Sequence, residues 1–264
     1  MAAVLVALSG LLGLAIGSFL NVVVWRVPRQ ESVVAPPSAC PGCGARIRAR
    51  DNVPVLSWLL LRARCRDCDA PIPARYPLIE LLTGVLFVGV TLWTGLEAPE
   101  VWALPARLYL AAVAVALAFI DLDTHTLPNR IVLPSYAIGA GLLALASAGT
   151  GDWGALLRAA VGGAVLWVFY LLLVLAYPRG MGFGDVKLAG VLGLYLGWAA
   201  WGALVVGGFA AFLLGGVVGL GLLVAGRAKR GTGIPFGPWM LLGAAVGLVG
   251  GERLWALYLG GFGP

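Results

Sequence analysis

Apolar runs of about 20 residues recur along the whole chain, each ended by a Gly, Pro, Arg or Asp cluster, and that length matches the hydrocarbon a helix must cross. They fall at roughly 2–24, 77–94, 105–122, 131–148, 155–176, 186–200, 202–225 and 237–250. None alternates in polarity as a barrel strand does. In lipid, only helices and closed barrels satisfy every backbone polar group. The expected fold is therefore all-α: a polytopic membrane protein of about eight transmembrane helices. A chain 61% hydrophobic and 11% charged lies outside the range of soluble domains. The glycines crowded between Gly202 and Gly226 fit helices that approach one another closely.

The first run lacks a basic residue before its apolar core, whereas Arg26 and Arg29 follow it, so a secretory signal is disfavoured. Basic residues mark the cytoplasmic side. With the N-terminus outside, the segment 25–76 is cytoplasmic and holds Arg26, Arg29, Arg46, Arg48, Arg50, Arg62, Arg64, Arg66 and Arg75. Arg130, Arg179, Lys187, Arg227, Lys229 and Arg230 join them inside, leaving Arg107, Arg158 and Arg253 outside. Eight spans give this asymmetry; merging 186–225 into one span would put the last basic loop on the wrong side. The net charge of +6 is thus a topology signal. No nucleic-acid partner is expected, since no basic surface alternates with exposed aromatics. Three regions follow: a first transmembrane helix at 1–24, a cytoplasmic loop domain at 25–76, and a transmembrane core at 77–264.

All four cysteines lie in that loop, as CPGC at 40–43 and CRDC at 65–68. Paired CxxC knuckles at this spacing offer four thiolates to one tetrahedral ion. On the reducing side of a membrane disulfides are disfavoured, so Cys40, Cys43, Cys65 and Cys68 are expected to bind zinc. With every coordination position filled by the chain, the metal is structural. It would stabilise a segment with too few large apolar side chains to build its own core.

Acidic groups near lipid are costly and each needs a reason. Asp121 and Asp123 end the third run in FIDLDTHTLPN, and Asp185 opens the sixth in GMGFGDVK. The topology puts both segments at the cytoplasmic end of their helices. Two carboxylates at one depth can share a proton, the arrangement an aspartyl protease uses to activate water and protonate a carbonyl. Gly180, Gly182 and Gly184 would let a peptide backbone approach Asp185. On composition and spacing alone a second reading stays open, in which Asp121 and Asp185 are ordinary helix-terminal residues at the interface.

At these residues the chain resembles the type IV prepilin peptidase family, whose GxGD motif is shared with presenilin-like proteases. The resemblance runs through GSFLNVVVWRVP at 17–28, the paired CxxC, NVPVLSWLLLRARCRDC at 52–68, RYPLIELLTGVLF at 75–87, IDLDTHTLPN, GMGFGDVKLAG at 180–190 and PFGP at 235–238. It implies catalytic aspartates at Asp121 and Asp185. The family places one Asp eight residues before the acid or amide that follows LP, here Asn129, which selects Asp121 over Asp123. It also implies removal of a basic leader from prepilins or pseudopilins at the cytoplasmic face of the bacterial inner membrane. Methylation of the new N-terminus from S-adenosylmethionine would follow. No GxGxxG loop follows a strand, so the methyl-donor site rests on the resemblance alone. A peptidase without methyltransferase activity is the alternative.

Around the aspartates, Lys187 is either a substrate contact or a positive-inside anchor. Pro235 and Phe236 in GIPFGP either pair with an extended peptide or form a plain turn. His125 is expected in a solvated loop, and Glu80 should be paired, an arginine of the loop being one candidate. Trp25, Trp153, Trp201 and Trp239 read as interfacial anchors. A proton- or cation-coupled transporter would need charges at mid-span, and here they gather at one face. A zinc-loop scaffold that only docks pilus-assembly proteins is disfavoured by the Asp pair.

Overall fold

A computed structural model describes residues 2–178, 180–226 and 234–261. Arg179, Arg227, Lys229 and Arg230, used above to orient the chain, lie outside the described residues. The helices in chain order are α1 (Ala2–Arg26), the short α2 (Leu56–Leu60), α3 (Arg75–Thr94), α4 (Leu104–Thr124), α5 (Asn129–Thr150), α6 (Trp153–Ala176), α7 (Phe183–Ala199), α8 (Trp201–Val224) and α9 (Gly237–Gly260). The eight long ones coincide with the eight apolar runs. Seven are long and apolar enough to cross a membrane. The exception is α7, which has 17 residues. It packs against α5, α6, α8 and α9, and Val186, Leu188, Val191 and Leu196 are almost wholly buried. Enclosure by protein rather than lipid explains why it can be short.

The boundaries moved most at the last helix, which continues ten residues beyond the expected end at 250. The added turns carry Glu252, whose carboxylate is satisfied inside the fold, accepting the Gly202 N–H at 3.1 Å. Gly202 lies in the first turn of α8, where free amides and the helix dipole favour an anion. The turn expected near Trp201 is the single residue Ala200, whose extended backbone ends α7 and starts α8.

Two compact units divide the chain, Met1–Ala116 and Leu117–Pro264. In the first, α1 packs along α3 through Gly13 and Gly17: a Cβ on Gly17 would lie 2.7 Å from the Glu80 Cα. Ser9 ties the same pair, its hydroxyl 2.6 Å from that of Thr91 and 3.1 Å from the Phe87 carbonyl. In the second, α6 pairs with α7, and α8 with α9. Small residues let the helix backbones meet where lipid offers no hydrophobic drive for association. The spacing Gly243, Gly247, Gly251 on α9 is the clearest case, each facing the backbone of α8 at Ala211, Gly207 or Ala203. Of the glycines expected to pack between 202 and 226, Gly202 and Gly207 do so, while Gly216 and Gly221 face open space.

At Gly247 a Cβ would come within 2.5 Å of the Ala203 carbonyl and 2.7 Å of the Gly207 Cα. Gly247→Val is expected to lower the thermal midpoint in detergent, with a loss of about 1–3 kcal/mol from overpacking. Gly216→Ala should leave the midpoint unchanged or slightly raised.

Candidate active site and metal centre

Asp121 lies in the last turn of α4, 4% exposed, and its Oδ2 accepts the Gly237 N–H at 2.9 Å. Gly237 opens α9, so the carboxylate caps a helix N-terminus, where amides lack intrahelical partners. A Cβ on Gly237 would sit 2.7 Å from that same oxygen, so only glycine admits the contact. Asp185 is 8% exposed in the first turn of α7, and its Oδ2 accepts the Gly182 N–H at 3.0 Å. The Asp185 N–H in turn donates to the Gly182 carbonyl at 3.1 Å. The two carboxylates lie near enough for the charge on one to act on the other. Each is thus oriented by a backbone amide, and together they can hold one proton between them.

Asp123, two residues further on, is exposed. α4 ends one residue after it. His125 has a left-handed backbone, φ 52, which terminates the helix, and its N–H donates to the Asp121 carbonyl at 2.9 Å. It is exposed, as expected for a loop residue.

The three glycines before Asp185 differ in setting. A Cβ on Gly182 would lie 3.5 Å from the Asp185 Oδ2, so Gly182 borders the carboxylate, while Gly184 packs on Leu127 and Gly180 on the Tyr177 ring. Lys187 points to Asn129, donating from Nζ to Oδ1 at 2.9 Å, with its ammonium 4.9 Å from the Phe183 ring centroid. Pro235 and Phe236 form the entry to α9 that delivers the Gly237 amide. Phe236 belongs to an aromatic cluster with Phe212, 5.3 Å between centroids, and Tyr170, 6.3 Å. Tyr170 is 2% exposed and close enough to Asp185 to feel its charge.

Three contributors escaped the sequence reading. Gly237 was inside the quoted PFGP but had no assigned role. Leu127, which packs against both Gly184 and Gly237, and Tyr170 carry no local signal, because only the tertiary fold brings them here. Trp239, expected at the interface, instead has an indole N–H that is buried without a partner among the described residues. Trp25, Trp153 and Trp201 are exposed, in keeping with interfacial rings.

The cysteine loop is built from two similar knuckles. The Cys40 N–H donates to the Ala45 carbonyl and the Cys65 N–H to that of Ala70, at 2.9 and 2.8 Å. Gly44 and Asp69, each just after the second cysteine of its knuckle, have positive φ. Single bridges, Ala39 to Arg46 and Arg64 to Pro71, close each turn. The four sulfurs lie within 4.8 Å of one another, and Cys40 and Cys68 are 3.7 Å apart. Tetrahedral ligands at about 2.3 Å from an ion stand roughly 3.8 Å apart, so the donor set fits one thiophilic metal. The Cys43 and Gly42 amides pull the Cys40 thiol down to about 7. At Cys68 the Ala70 amide lowers the value, but crowding by the other thiols and burial prevail and push it up to about 12. A full set of thiolates therefore needs a cation among them.

Bidentate contact between Arg66 and Asp51 ties the knuckles to the rest of the loop, Nη2 to Oδ1 at 2.6 Å and Nε to both oxygens. Arg66 holds the Asp51 carboxyl below its ordinary value. That contribution is present above the usual carboxylate pKa near ~3.9 and is lost as pH falls through the lower folded value. Glu80 is buried as expected for a paired acid, and its Oε2 accepts the Val55 N–H at 2.7 Å.

The purified chain should carry one tightly bound metal ion, and Cys43→Ser with Cys68→Ser should carry none, as metal analysis would show. Limited proteolysis of the metal-free protein is expected to cut within residues 32–74 while the helices stay intact.

The family model described as the bacterial peptidase A24 N-terminal domain matches residues 11–94, and that of the type IV leader peptidase family residues 108–224. A prepilin leader peptidase/N-methyltransferase of Aeromonas hydrophila is 39% identical over 278 residues, covering 96% of this chain and 93% of the relative. One of Burkholderia pseudomallei (strain 1026b) is 39% identical over 283 residues, 95% and 86% covered. One of Pseudomonas aeruginosa is 35% identical over 278 residues, 94% and 91% covered. No solved structure matches the chain with significance. On this similarity, over nearly the whole of both chains, the chain belongs to the type IV leader peptidase family.

Proposed function

We propose that this chain is an aspartyl endopeptidase that removes the leader of prepilins or pseudopilins and then methylates the new N-terminus from S-adenosylmethionine. The observation that carries the peptidase half is the pair of buried carboxylates, Asp121 and Asp185, each held by a helix N-terminal amide and each within reach of the other's charge. With one carboxylate ionised and one protonated, the ionised group takes a proton from water. The water oxygen attacks the scissile carbonyl while the protonated group donates to the carbonyl oxygen, and the departing amine then takes a proton back. The Gly182 and Gly237 amides keep both carboxylates oriented through this exchange. Gly182 leaves room beside Asp185 for an extended backbone. Gly184, Lys187, Pro235 and Phe236 support the site by packing and by fixing helix ends.

The ion at Cys40, Cys43, Cys65 and Cys68 is proposed to be zinc with a structural role, since four sulfurs leave no position for water. The distribution of basic residues supports an outside N-terminus, with the aspartates at the cytoplasmic face of a bacterial inner membrane. S-adenosylmethionine, when bound, supplies an activated methyl group to the new amine. Peptidase activity alone remains the second reading, because the aspartate site itself says nothing of methyl transfer.

Mass spectrometry of a prepilin N-terminus after incubation with purified enzyme and S-adenosylmethionine tests both halves. Wild type and Asp123→Asn should release the leader and add one methyl group, while Asp121→Asn and Asp185→Asn lose about 10²–10⁴-fold in cleavage rate. Cleavage retained by Asp121→Asn would overturn the pair. Cleavage without a mass gain of one methyl selects the peptidase-only reading. The rate should fall on both sides of an optimum pH, because the pair works with one proton.

A further inference from the structure

Unit Met1–Ala116 holds an open cavity of about 490 Å³ between α1, α3 and the cysteine loop. That volume lies within the ~300–1,000 Å³ typical of small-molecule sites. All its lining residues fall between Ser18 and Glu80, in the unit that does not carry Asp121 and Asp185. We propose that this cavity is the binding site for S-adenosylmethionine, with Glu80 facing the sulfonium; the proposal rests on the methyltransferase half of the function above.

The methyl donor presents a planar purine, a ribose diol, a cationic sulfur and an amino-acid end. The cavity answers these features one by one. Trp58 and Tyr76 offer aromatic faces for the purine, and the Trp58 ring is fixed by its N–H donating to the Ile72 carbonyl at 2.9 Å. Asn21, on α1, brings a side-chain amide to the wall, held by a 3.1 Å bond from Nδ2 to the Tyr76 carbonyl. Glu80, 9% exposed, is a carboxylate pinned through one oxygen to the Val55 amide. A buried carboxylate with one oxygen committed to a backbone amide favours a cation at its other oxygen. A phosphate-bearing ligand would find two of the three lining arginines, Arg26, Arg46 and Arg66, already engaged. Arg66 is bound to Asp51, and Arg26 donates to the Ser32 carbonyl at 2.9 Å. Cys40 and Cys65 also border the cavity, so the metal centre shapes its wall.

The test uses the full-length, metal-loaded protein in lipid nanodiscs. Methyl-labelled S-adenosylmethionine is bound, irradiated, and the labelled peptide mapped; affinities for it and for S-adenosylhomocysteine, whose sulfur is neutral, are measured by equilibrium dialysis. Label within residues 18–80 is expected. Glu80→Gln should weaken S-adenosylmethionine about tenfold or more, and S-adenosylhomocysteine by less than about threefold, since only the first loses a charge pair. Metal content and thermal midpoint report whether Glu80→Gln folds, and the map on the unaltered chain does not depend on that variant. Label in residues 117–261 with methyl transfer intact overturns this site and leaves the transferase reading standing. Absence of both binding and transfer overturns the transferase reading and the site with it. Equal weakening of the two ligands, or none, overturns the role of Glu80.

Discussion

The hydrogen bond from the Gly237 amide to Asp121 joins the end of α4 to the start of α9, 116 residues apart in sequence. Each partner satisfies the other: the amide is a helix-terminal donor, and the carboxylate is almost fully buried. The contact sets the orientation of Asp121, requires glycine at position 237, and draws Phe236 into the aromatic cluster beside Asp185. Asp185 is held by the same kind of donor, supplied locally by Gly182. One constraint, that backbone amides and acids near lipid must find each other, thus builds the site.

The same pairing recurs elsewhere in the second unit. Glu252 on α9 serves the first turn of α8 through Gly202. Asp152 does so for α6, accepting the Ala155 N–H at 2.8 Å. The starts of α6, α7, α8 and α9 are each met by a carboxylate, near in sequence or distant, whereas α5 starts after Pro128 without one. Between the ends, glycines on facing helices replace side-chain bulk with backbone contact, which lets the helices stay close without a solvent-driven core.

Much of this was legible in the sequence because lipid leaves few options. Runs of about 20 apolar residues announce helices, and the eight long helices fall on the eight runs. Paired CxxC segments announced the thiol cluster, and Asp121 and Asp185 stood out as acids at helix ends. What escaped notice depended on long-range packing. The ten residues added to α9 include Glu252, and nothing near it in sequence reveals its partner Gly202. Leu127 and Tyr170 are ordinary apolar and aromatic residues until the helices assemble. The cavity beside Glu80 was equally invisible, because its walls come from three separated segments, of which only the cysteine segment had been read as a site.

The twin knuckles of the loop have a consequence for the unfolded chain. A single ion bridging Cys40–Cys43 to Cys65–Cys68 ties off the residues between them as a closed ring, and both ends of the wider segment are already anchored by α1 and α3. Such closure removes disordered conformations that an open tether would explore, and the entropic gain grows only slowly with ring length. The ring between the knuckles can therefore change length at little thermodynamic cost, provided the two turns and their thiols keep their shape and the bonds made by Asp51, Val55 and Trp58 are kept.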